Sequence, residues 1–191
     1  MRSLLAILFA VVVGLVGAAL LHLVIVLALP QFSQKDAYTR IIARGESHRF
    51  YRLGETPDRA GLSKEDPMVE MAVCSFNTSE APVRLTAPNV GVPFWSLGVF
   101  DASSNELFSI NDRTSADGVL DVVIGTPEQL TVLRKSMPRG FDQAVLVESG
   151  QMEGYAVLRS LVTHRSFAPL VTQFLEQAGC APFAWRSRSQ F

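Results

Sequence analysis

The hydrophobic pattern divides the chain near residue 30. From Leu4 to Leu29 no residue is charged, and His22 is the one polar side chain. A helix rises about 1.5 Å per residue, so about 20 apolar residues cross the hydrocarbon core of a bilayer. This run is long enough with some tilt. Leu, Ile, Val and Phe each favour insertion by about 0.3–0.6 kcal/mol, which in sum outweighs one neutral His. Pro30 predicts the stop, because the residue before proline is pushed out of the α region. An uncleaved transmembrane anchor fits this length. A signal peptide has an apolar stretch of about 7–15 residues, although Val26 and Ala28 offer a weak cleavage pattern.

Beyond the anchor the pattern becomes local. Ser33–Arg44 is predicted as a short juxtamembrane helix, with Ser33 and Asp36 as its capping signal and Gly45 as its stop. Residues 54–67 carry Gly, Pro and charges and are predicted as loop. From Glu70 onward, short β-like runs alternate with turn residues. The runs are 71–76, 83–87, 94–100, 107–110, 120–124, 144–148 and 155–162. Clusters of Gly, Pro, Asn and Asp separate them, Pro138–Gly140 among these, and Asp101–Asn105 is predicted as a hairpin loop. Two helices interrupt the series. Thr126 and Gln129 form a capping box with Pro127 at the first helical position, and Leu130, Leu133 and Met137 make its apolar stripe. Ser166 is the predicted cap of the second, which carries Pro169 in its first turn, an apolar face through Val171, Phe174 and Leu175, and Gly179 as its end. The tail Trp185–Phe191 is predicted to fray.

These elements define a mainly β fold with two or three short α-helices (α+β): an antiparallel sandwich behind one N-terminal transmembrane helix. The predicted organisation is an anchor over 1–30, a juxtamembrane helix and loop over 31–65, and a β-rich extracytoplasmic domain over 66–191. Composition adds exclusions. With 17 Lys+Arg against 18 Asp+Glu, the near-neutral charge argues against nucleic-acid binding, which needs a basic patch. Arg2 and the amino terminus favour a cytoplasmic N-terminus, while Lys35, Arg40 and Arg44 pull the other way under the positive-inside rule. The expectation is N-in, with the C-terminal domain in the periplasm and the span in the inner membrane. The expected partners are the bilayer and a second envelope protein. The Gly14/Ala18 spacing would also allow a homodimer through the helix. His22 lacks a second polar group in the helix and is read as a locally bonded interfacial residue.

Candidate chemistry is sparse. No phosphate loop, dinucleotide fingerprint or Gly-x-Ser-x-Gly elbow occurs, and His22, His48 and His164 have no metal-ligand spacing, so no cofactor or metal is expected. Cys74 and Cys180 fit either one disulfide in an oxidising compartment or two buried thiols. Asp112, Asp117 and Asp121, with Asn111, could form an acid/base or cation site, but Asn and Asp also favour turns because they bond their own backbone. Arg113 and Arg159 could hold an anion bidentately, although Arg159, interrupting an apolar run, fits an internal ion pair better. Trp95, with Phe94, Phe100 and Phe108, could line a ligand groove; aromatics in strands are more often core.

The stretch Asp66–Val162 resembles the bacterial domain of unknown function family 1254. The residues that carry this are Ala81–Pro88 (Ala-Pro-Val-Arg-Leu-Thr-Ala-Pro), Phe94–Asp101, Phe108–Thr114 ending in Asp-Arg-Thr, and Asp121–Gly125. Val157–Ser160 looks like that family's Gly-Arg-Thr strand with Gly and Thr replaced. The resemblance implies an envelope-associated, jelly-roll-like domain, often paired with a second uncharacterised domain, with no established activity. Asp66–Glu70 departs from the pattern, lacking the Asn and Tyr expected there. The combined expectation is a non-catalytic binding or accessory module. The alternatives are an envelope enzyme acting on carbohydrate or lipid through the loop carboxylates, and a small-ligand carrier.

Overall fold

The structure is a computed structural model. It describes residues 2–137, 141 and 143–183, with side chains omitted for 30–36. The fraying expected of Trp185–Phe191 and the turn at Pro138–Gly140 lie outside the described residues. The chain divides into two units, 1–36 and 37–191.

Helix α1 runs without interruption over Arg2–Arg44. This corrects the expected stop at Pro30 and the fresh start at Ser33. Proline removes one backbone donor and disfavours helix before it, yet flanking turns that are themselves good helix carry the chain through. Arg2–Leu29 is long and apolar enough to cross a membrane, and none of it is buried.

The second unit is built from two sheets. Strands β1 (Tyr51–Arg52), β2 (Val69–Asn77), β4 (Trp95–Asp101), β5 (Glu106–Asn111) and β8 (Glu153–Leu161) form one, ordered β1-β2-β8-β4-β5. Strands β3 (Val83–Ala87), β6 (Leu120–Gly125), β7 (Val145–Glu148) and β9 (Gly179–Pro182) form the other, ordered β7-β6-β3-β9. Alternate side chains turn inward and form one shared core, in which Phe76, Leu85, Leu97, Val99, Val122, Ile124 and Leu158 are almost wholly enclosed. The hairpin expected at Asp101–Asn105 joins β4 to β5. Its carboxylate builds it: Asp101 accepts the N–H groups of Ser103 and Asn105 at 2.8 and 2.9 Å.

The sheets are not wholly antiparallel as the sequence suggested. Strand β7 pairs with β6 in parallel. Helix α2 (Pro127–Lys135) lies between them, and a helical crossover is what parallel neighbours require. The capping box forms, with the Thr126 hydroxyl accepting from Gln129 N–H and the Gln129 side chain returning to Thr126 N–H. Helix α3 (Ala168–Glu176) sends Val171, Phe174 and Leu175 into the core. Ser166 does not cap it: a 3₁₀ turn at Arg165–Phe167 leads in, and Phe167 occupies the cap position with no side-chain bond. Gly179, expected to end this helix, instead opens β9, which adds to β3.

One side-chain cross-link joins the two sheets. Cys74 of β2 and Cys180 of β9 form a disulfide, with a sequence separation of 106. The last turns of α1 cover part of the first sheet's outer face, where Ile41 and Tyr38 pack with Leu53, Val73 and Val157. Burial there, and the charge and hydrogen bond of Glu153, push the Tyr38 hydroxyl up to about 12.

Candidate functional site

A concavity opens where the free edges of the two sheets face each other. One wall is the segment leading into β1, with His48, Arg49 and Arg52. The other is the end of α3 and β9, with Leu175, Glu176 and Cys180. Its volume is 420 Å³, within the range of small-molecule sites.

The first wall is fixed by local geometry. At Gly45 a Cβ would overlap the Tyr51 hydroxyl, so only glycine lets that ring close over the end of α1. The Arg49 guanidinium lies 5.7 Å above the Tyr51 ring. His48 adopts a left-handed backbone with φ of 66°. That conformation is costly for a residue with a Cβ, and it persists where surroundings over-determine it. Here the His48 N–H donates to Ser75 O at 2.8 Å, and ring Nε2 lies 3.0 Å from Asn77 O and 3.2 Å from Asn77 N. Arg52 is held by Glu70 at 3.1 Å. The disulfide fixes β9, and hence the second wall, against β2.

Behind Arg52 stands an ion-pair network that the sequence did not announce. Lys64 and Glu70 are both buried and hydrogen-bonded to each other, with Glu55 3.5 Å from the Lys64 ammonium. The bond to Glu70 holds the Lys64 pKa raised against the opposing effect of burial, and the Glu70 and Glu55 charges add to it. Arg44, on the last turn of α1, pairs with Asp58 and donates to Arg52 O at 2.9 Å. Burial would raise the Asp58 carboxyl, but the Leu62 and Ala60 N–H groups and the Arg44 charge together hold it lowered. The network ties the helix end to the loop over 54–64 and to β2. No local spacing signals it, because its members come from four separate segments.

The loop carboxylates take separate roles, and no described hydrogen bond or ion pair joins any two of them. Asp121 accepts from Arg84 at two points, both 2.8 Å. The Arg84 guanidinium also lies 4.4 Å from the Phe141 ring and 5.9 Å from that of Phe183, pinning the flanking segments to the second sheet. Asp117 is an exposed turn residue with φ of 55°. Asp112 is half-buried, with one buried carboxylate oxygen that has no partner among the described residues. Asn111 accepts the N–H groups of Arg113 and Thr114, as a turn residue does. Arg113 is exposed. Arg159 sits on β8 opposite Met71 and Ser96 and makes no ion pair among the described residues, which corrects the expected internal pair. Its place on the outer face lets it reach water without one. Trp95 is core: it is enclosed, stacks on Phe174 with centroids 6.2 Å apart, and donates from Nε1 to Gly118 O. Among the described residues no group of three or more His, Cys, Asp or Glu could hold a metal ion.

A two-sheet β domain, in a chain that also carries an apolar helix, is the class that this geometry defines. The family described as "Protein of unknown function (DUF1254)" matches residues 68–182, and the chain belongs to that family. Among solved structures it is similar to the VPA0106 protein of Vibrio parahaemolyticus, at 11% identity and a TM-score of 0.57 over 82% of this chain and 42% of that one. It also matches an uncharacterised protein of Burkholderia cenocepacia, at 10% identity and a TM-score of 0.47 over 84% and 44%. The chain therefore spans under half the length of the solved structures it matches. No curated protein matches it.

Proposed function

We propose that the protein is a non-catalytic binding or accessory module, held by α1 in the bacterial inner membrane with its β domain in the periplasm. The disulfide carries this reading. Structural disulfides form and persist in oxidising compartments, and this one closes a sandwich behind a span-length helix. The dispersed roles of Asp112, Asp117 and Asp121 favour binding over acid/base chemistry, which needs two groups in one cleft. The test is the thiol state in living cells. Cells are quenched in acid, and the denatured protein is alkylated with a polyethylene-glycol maleimide. The expected result is no mass shift before reduction and a two-adduct shift after it. Alkylation of both cysteines without reduction would place the domain in a reducing compartment and overturn the reading.

A further inference from the structure

We infer that the cleft between β1 and β9 binds a phosphate monoester or diester carried on an apolar stem. This rests on reading the domain as a binding module, and it names the ligand class. The charge distribution points to an anion. Of the six Lys/Arg in residues 37–64, Arg49 and Arg52 line the cleft, against Glu176 from the other wall. Within that wall Arg52 is held by Glu70, but Arg49 is exposed, meets no carboxylate among the described residues and is held only over the Tyr51 ring. An oriented guanidinium without a counter-ion is the donor fork that recognises phosphate.

The cleft's base supplies the second half of the recognition. Phe50, Leu175 and Ala178 extend the hydrophobic core to its surface, which suits a short hydrocarbon better than a bare ion. The strained His48 backbone, tied at Ser75 and Asn77, sets this wall rigidly before any ligand arrives. Glu176 on the opposite wall is the one acid in the lining and works against an anion.

The test uses the full chain in a non-ionic detergent, titrated calorimetrically with butyl phosphate. Saturable binding is expected, with butanol and butyltrimethylammonium silent. Arg49→Glu should weaken it by about tenfold or more, the worth of one charge-assisted pair. Glu176→Gln should tighten it. Both positions are exposed, and retention of the native circular dichroism and of the disulfide confirms that each variant folds. Absence of saturable heat, or equal affinity in wild type and Arg49→Glu, overturns the inference. Repeating the titration in nanodiscs separates the sources. Loss of butyl phosphate binding in phosphatidylglycerol discs, in phosphatidylcholine discs or in both identifies a lipid headgroup. Retention in both identifies a free phosphate ester. Phosphorus NMR of the same sample keeps the two readings apart: release of inorganic phosphate would end the non-catalytic reading while leaving the site in place.

Discussion

Removing the disulfide offers the sharpest energetic prediction. In the double variant Cys74→Ala/Cys180→Ala, the folded sheets keep their hydrogen bonds, but the unfolded chain regains a loop of 106 residues. In the chain-entropy treatment, closing a loop of that size stabilises by about 4.7 kcal/mol at 25 °C. Both sulfurs are buried, so loss of their packing adds of order 1 kcal/mol. A domain of this size has a net stability of about 5–15 kcal/mol, so the variant should be close to its limit. Urea unfolding in mild detergent, followed by Trp95 fluorescence, reads the loss as a lower midpoint. The m-value should rise, because the uncross-linked unfolded chain exposes more surface. The apparent Tm should fall by about 10–20 °C. Wild-type protein in excess dithiol should converge on the variant. A loss below about 1 kcal/mol, with m unchanged, would refute the claim that this bridge holds the two sheets together.

Three further outcomes follow from the same geometry. Asp121→Asn leaves Arg84 without its carboxylate between two aromatic rings. It should cost about 1–2 kcal/mol in urea titration, less in high salt because the pair is partly exposed. Thr126→Ala removes the side-chain half of the capping box and should cost about 1 kcal/mol by the same measurement. Asp58 has a lowered pKa in the fold, so its contribution is complete above the ordinary Asp value of about 3.9 and is lost as pH falls through the folded value. Acid titration of Asp58→Asn should therefore show a flatter loss of stability below about pH 4 than wild type.

What the sequence disclosed was what is encoded locally. The capping box of α2 needs only Thr126, Pro127 and Gln129, all within one turn, and it forms as expected. The seven β-like runs each lie within or across a strand, because the turn residues between them act on their own backbone. Pairings between distant segments were hidden. Strand β1 has two residues and no alternation to detect. Strand β9 reads Gly-Cys-Ala-Pro, almost without β-formers, and is held by its pairing with β3 and the bond at Cys180. The parallel partner of β6 depends on where α2 delivers the chain. The cleft joins residues some 130 positions apart, so no local pattern marked it.

The central claim is that α1 tethers a disulfide-closed domain on the periplasmic side. Ser79→Cys puts a single free thiol in the exposed turn between β2 and β3, with Cys74 and Cys180 already bonded. Labelling with a membrane-impermeant maleimide in intact spheroplasts, followed by fractionation, reads sidedness and tethering together. The account predicts labelling as complete as in lysed cells, with all of the label in the membrane fraction. Labelling only after lysis, or label recovered in a soluble protein lacking the apolar helix, would contradict it.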